Sequence, residues 1–185
     1  MIEILQSEDP VLRKIAKEVP ISLITKPKIQ KVISNMISAL NSQNDGVAIA
    51  APQIGESLRI FVVSGRIFDE DFIGGKGSTE GELYKKAREK NLIFINPVLK
   101  KISKDRKLLS EGCLSVRPVY GKVRRATRAT VEAYDENGKK VTKDGVGLLA
   151  HIFQHETDHL EGILFTDKAK ALHDAPINEE YKNNN

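Results

Sequence analysis

The 185-residue chain is 40% apolar and 29% charged, with 13 glycines and 7 prolines; this balance fits one compact domain and excludes collagen-like and low-complexity chains. Its net charge of +4 favours anionic surroundings only modestly, and a single cysteine, Cys113, excludes an internal disulfide and points to a reducing, cytoplasmic setting. No stretch approaches the roughly 20 apolar residues of a membrane span, and Glu3, Glu8 and Asp9 in the opening segment argue against a secretory or transit signal.

In chain order, a short leader precedes a helix expected from Lys26 to Asn41, with Ile29, Val32, Ile33, Met36, Ile37 and Leu40 at helical spacing and Thr25 placed to cap its start. Gly46 to Gly55 reads as small, apolar, tightly turning chain, and Leu58 to Val63 as a strand. Residues 65–91 hold clustered Gly and Ser, then a charged segment from Glu80 to Lys90, and are expected to form a mobile insertion loop with an exposed helix. Leu92 to Leu99 and Lys107 to Val116 follow as strands, the second containing Cys113. Thr130 to Tyr134 and Lys139 to Thr142, joined across Asn137-Gly138, read as a hairpin. The last strong element is a helix from about Asp144 to Leu160, stopped near Gly162. A run of strands before that helix predicts an α+β domain spanning residues 1–172, with a polar tail from 173 to 185. The basic residues at 100–107 and 122–128 read as solvated faces, with no specific nucleic-acid site expected.

The chemistry concentrates in His155-Glu156-Thr157-Asp158-His159. Imidazoles four residues apart on a helix share one face and can close on one metal ion, with Glu156 beside them as general base. A hydrolytic site of this kind has three protein ligands and an open position for water. Candidates for the third are Cys113, His151, His173, Glu161 and Asp167; Cys113 is preferred, because it is the sole thiol and Gly112 beside it permits close backbone approach. Leu148, Ile152, His155 and His159 step along one stripe, so Leu148 and Ile152 are expected beside the metal, lining a side-chain pocket with Val47 opposite. Asp158 and Arg125 are weighed as a contact that steadies a ligand histidine, or as a surface ion pair.

Three blocks in this order carry a resemblance: Gly46-Val47-Ala48-Ile49-Ala50-Ala51-Pro52-Gln53, Glu111-Gly112-Cys113-Leu114-Ser115, and Gln154-His155-Glu156-Thr157-Asp158-His159-Leu160. Together with Ile4, Leu5, Asp9-Pro10 and Leu12-Arg13, they resemble the motifs of the peptide deformylases. The resemblance implies Cys113, His155 and His159 as ligands of one divalent ion, typically Fe(II) and replaceable by Zn, Ni or Co. It implies Glu156 as the base, and Gln53 with the Leu114 N–H as donors to an oxyanion. The implied substrate is an N-formyl-methionyl nascent peptide in a bacterial-type cytoplasm, with a transient ribosome contact and formate as product. The peptide is expected to add as a strand along Gly46, Val47, Ala48 and Ile49, with Gly112 also in the substrate site. Ala48 and Ile49 depart from the motif's glycine and leucine, so a methyl group enters a place of close approach. Two rivals predict other behaviour: an endopeptidase with a ligand after His159, and a peptide-binding scaffold without turnover.

Overall fold

The computed structural model describes residues 2–68 and 90–174. Helix α1 (Pro27–Asn41) starts with Pro27, whose ring presets the helical φ and whose missing N–H needs no partner there. Its N-cap is Lys26 and no side chain caps it, so the expected Thr25 cap is corrected. Beyond it run β1 (Ala48–Ala50), β2 (Ile60–Val63), β3 (Leu92–Ile102), β4 (Arg106–Gly112), β5 (Val119–Ala126), β6 (Arg128–Tyr134) and β7 (Lys140–Val146), then helix α2 (Leu148–Leu160) and β8 (Lys170–Asp174).

The strands form two antiparallel sheets, one of five strands in the order β1-β2-β3-β6-β7 and one of three in the order β4-β5-β8. The fold is α+β, as the run of strands predicted. β2 is buried on both faces, which is why Ile60-Phe61-Val62-Val63 is an unbroken apolar run. Phe61 and Val63 point towards α2 in a cluster with Phe94, Val131, Phe153 and Leu160. Ile60 and Val62 point the other way, onto Val32, Met36 and Leu40 of α1. Phe94 stacks on Phe61 at 4.8 Å between ring centroids and meets Phe153 edge-on at 5.3 Å. A third cluster, Leu12, Val123, Leu164 and Phe165, closes the space beneath the three-stranded sheet.

Several boundaries differ from expectation. The helix expected from Asp144 begins at Leu148, because Asp144, Gly145 and Val146 pair with Thr130, Ala129 and Arg128, and Gly147, at φ +57°, turns the chain from strand into helix. The strand expected to contain Cys113 ends at Gly112, leaving the thiol in the turn that follows. Ala48–Ala50 is strand, not turn. β5 was not anticipated. The polar tail was expected from His173, but His173 and Asp174 pair with Tyr120 and Val119. Of the expected insertion loop, Gly65–Phe68 is a short 3-10 turn and the Gly65 N–H donates to Asn91 Oδ1 at 3.1 Å; residues 69–89, and with them the expected helix apart from Lys90, lie outside the described residues.

Candidate metal centre and cleft

Helix α2 runs through the interior, so polar residues on it must be satisfied there. Gln154 does this by joining the helix to β5: its Oε1 accepts from the Ala126 N–H and its Nε2 donates to the Ala126 and Ala150 carbonyls, at 2.8 to 3.0 Å. That anchor fixes the helix's rotation and aims His155 and His159 at the turn after β4.

There Cys113 Sγ lies 3.2 Å from His159 Nε2, and one donor atom each from Cys113, His155 and His159 fall within 4.8 Å of one another. The other third-ligand candidates lie elsewhere. Glu161 pairs with Arg59 at 2.7 Å, Asp167 pairs with Arg13 at 2.5 Å, His173 is exposed on β8, and His151 turns to Glu111. Burial pushes the His159 imidazole well below its ordinary pKa, favouring the neutral ring that has a lone pair to give. A thiolate with two imidazoles is a donor set suited to a borderline-soft divalent cation, so the residues present fit such an ion.

Glu111, two residues before Cys113, organises the surroundings and is the functional side chain that sequence reasoning missed. Its Oε2 accepts from His155 Nδ1 at 2.9 Å and Arg125 Nη2 at 3.0 Å; its Oε1 accepts from Arg125 Nε at 2.7 Å and from His151 Nε2. Burial alone would raise this carboxyl, but the bonds from His151, His155 and Arg125 outweigh it and hold Glu111 well below the usual carboxylate range. Because an ionised carboxylate only accepts, His155 carries its hydrogen on Nδ1 and leaves Nε2 for a metal. Arg125 Nη1 also donates to Asp158 Oδ2 at 2.6 Å, and Lys168 Nζ donates to both Asp158 oxygens. Arg125 is 4% exposed, so its pairing with Asp158 is not a surface ion pair; it also bonds Glu111, which accepts from His155.

The Cys113, His155 and His159 cluster opens onto a cleft of about 250 Å³ whose walls include Val47, Ala48, Gly112, Leu148, Ile152 and Glu156. Burial raises the Glu156 carboxyl to about 7, and its Oε2 has no partner among the described residues. Gln53 is oriented by the Ala50 N–H, which donates to its Oε1 at 2.8 Å; its Nε2 therefore points inward, donating to Ser115 Oγ at 3.0 Å and lying 3.6 Å from Cys113 Sγ. The turn carrying Leu114 is pinned by Gln6 Nε2, which donates to the Leu114 carbonyl at 3.1 Å.

Along the other wall, β1 is an edge strand among the described residues. The Ser64 N–H donates to the Val47 carbonyl at 2.8 Å, so the main chain of Val47 and Ile49 faces β2 and that of Gly46 and Ala48 faces the cleft. The Ala48 methyl packs in the core cluster with Phe61 and Val63, clear of that edge.

A family model described as polypeptide deformylase matches residues 1–175. The chain belongs to the polypeptide deformylase family. It is 38% identical over 161 residues to peptide deformylase 2 of Clostridium acetobutylicum, covering 87% of this chain and 90% of that one. It is 40% identical over 170 residues to the peptide deformylase of Carboxydothermus hydrogenoformans, covering 92% and 94%. Among solved structures, the Synechococcus elongatus peptide deformylase in complex with actinonin matches with a TM-score of 0.73 at 32% identity, covering 92% of this chain and 79% of that one. A Met-Ala-Ser-bound class I type b peptide deformylase from Acinetobacter baumannii matches with a TM-score of 0.75 at 29% identity, covering 90% and 97%. The deformylase family implies a catalytic divalent metal, which agrees with the donor set described above.

Proposed function

We propose that this chain removes the N-formyl group from the N-terminal methionine of newly made polypeptides, releasing formate, and that Cys113, His155 and His159 hold the divalent metal this requires. The observation that carries the reading is the convergence of one thiol and two imidazoles on a cleft that also holds a buried carboxylate with a free oxygen. The Met-Ala-Ser bound to the Acinetobacter relative supports a methionyl peptide as occupant.

When bound, a divalent cation supplies Lewis acidity, lowering the pKa of a water and polarising a carbonyl oxygen. The Glu156 carboxylate accepts the proton of the attacking water and returns it to the leaving amine. Gln53 Nε2 and the Leu114 N–H donate to the formyl oxygen as it gains charge. The peptide lies along the segment Gly46, Val47, Ala48 and Ile49 and pairs with the outward main chain of Gly46 and Ala48, with Gly112 opposite, while Leu148, Ile152 and Val47 enclose the methionine side chain. Leu148 is 41% exposed, an apolar surface such a side chain would cover.

Fe(II) is the proposed metal, with Zn, Ni or Co able to substitute, since thiolate and imidazole donors accept all four. One catalytic domain, a cytoplasmic setting and transient ribosome contact complete the reading; they are supported by the bonds by which Gln154 ties α2 to β5, the single cysteine and the excess of Lys and Arg. Among the described residues no helix is long and apolar enough to cross a membrane.

The test is formate release from a formyl-Met peptide by anaerobically prepared, metal-loaded protein. Glu156→Ala should keep its metal and lose at least about 10²-fold in kcat, the scale of a general base. Wild-type protein that releases no more formate than this variant would refute the reading.

A further inference from the structure

His151 is the one imidazole of α2 outside the metal-ligand cluster, and its surroundings give it a separate task. It lies one turn before His155, is 8% exposed, and lines the cleft with Leu148 and Ile152. Its Nε2 bonds Glu111 Oε1. Because that carboxylate is an acceptor only, Nε2 carries a hydrogen committed to it, and Nδ1 is the ring nitrogen left for another partner. Nδ1 has no protein partner among the described residues, yet it is not one of the orphaned nitrogens sealed from solvent.

The ring is not free to turn away. Glu111 receives His151 and Arg125 on Oε1, and His155 and Arg125 on Oε2, which fills its lone pairs. Swinging His151 out would leave one of them buried and unpaired. The wall that meets the first side chain of a substrate therefore has a fixed polar nitrogen beside two aliphatic residues. A side chain that sealed against it would strip water from Nδ1 without replacing the hydrogen bond, whereas a water kept on Nδ1 has a second hydrogen to give.

Resting on the deformylase reading, we propose that His151 extends the substrate class to formyl peptides beginning with methionine sulfoxide, through a water that bridges Nδ1 to the sulfoxide oxygen. The sulfoxide oxygen only accepts, so the bridging water donates one hydrogen to it and makes its other hydrogen bond with Nδ1.

The experiment compares kcat/KM for formyl-Met-Ala-Ser and its sulfoxide in wild type, His151→Leu and His151→Gln, with metal content per chain measured for each. Wild type should process the sulfoxide within about 10-fold of the thioether; His151→Leu should lower that ratio a further ~10-fold or more, and His151→Gln, which keeps a donor for Glu111 and a polar atom for the cleft, should largely restore it. A wild-type preference for the thioether above about 100-fold overturns the proposal whatever the variants do, and so does an unchanged ratio in metal-replete His151→Leu. Binding of unformylated Met-Ala-Ser and its sulfoxide, measured without turnover, separates the two readings. Absence of formate from both substrates sinks the deformylase reading, whereas the ratio of the two binding constants still reports on His151.

Discussion

Glu111 holds a position in which one carboxylate answers to three partners, His151, His155 and Arg125. Its folded-state pKa lies below the ordinary value of 4.5, so it contributes stability that is fully present above that pH and lost as the pH falls below it. Urea unfolding of wild type and Glu111→Gln should therefore differ most near neutral pH, and the gap should narrow steadily on acidification below about 4.5. An equal gap at every pH would mean that the carboxylate's charge contributes nothing. In the sequence, Glu111 stood out only as the neighbour of Cys113, and Arg125 read as one more member of a basic run. The partners that bury them are 14 to 44 positions away, and no local pattern carries that information. The imidazole pair was legible because its geometry is local, four residues on one helix, and the thiol because it has no competitor in the chain.

Helix α2 and the segment that follows it show what periodicity can and cannot deliver. The apolar spacing located the helix and its end, but not its first turn, since the residues from Asp144 to Val146 carry a strand's pairing that only β6 reveals. β5 escaped notice because its exposed positions are Lys122 and Arg124 and its buried ones include Gly121 and Arg125, so no apolar alternation marks it. The stop signal at Gly162 has two physical grounds. Its φ is +71°, and a Cβ there would come within 2.6 Å of the Arg13 carbonyl oxygen. Gly162→Ala should lower stability by at least about 1–2 kcal/mol through the left-handed backbone alone, with the clash adding to it. Thermal unfolding checks this, and an unchanged Tm would show that the leader does not pack against the helix end as described.

At the scale of the molecule, the proposed ligands come from pieces that fold around different clusters: Cys113 packs with the cluster under the three-stranded sheet, while α2 belongs to the core against the five-stranded one. A cation held by both joins them, and anything that binds only the folded state stabilises it by mass action, about 2.7 kcal/mol at a hundredfold excess over Kd. Chelation should lower the Tm of wild type, and Cys113→Ser should bind metal poorly and show little further loss on chelation. Equal shifts in both proteins would remove the thiol from the ligand set. The sequence predicted the α+β class because strands run consecutively before α2, but the division into two sheets depends on which strands meet, and β5 and β8 choose each other across more than 40 residues.

Among the described residues β1 leaves its outer main-chain groups without a neighbouring strand, and an open rim of that kind is also where identical molecules can zip together into fibres. Two features curb that hazard. The strand is only three residues long, and the Gln53 amide already occupies the Ala50 N–H, so an intruding chain finds little more than one repeat of the ladder to grip. The entrance is thus long enough to seize the tip of a single polypeptide and too short to template polymerisation, a compromise that lengthening β1 by engineering would be expected to upset.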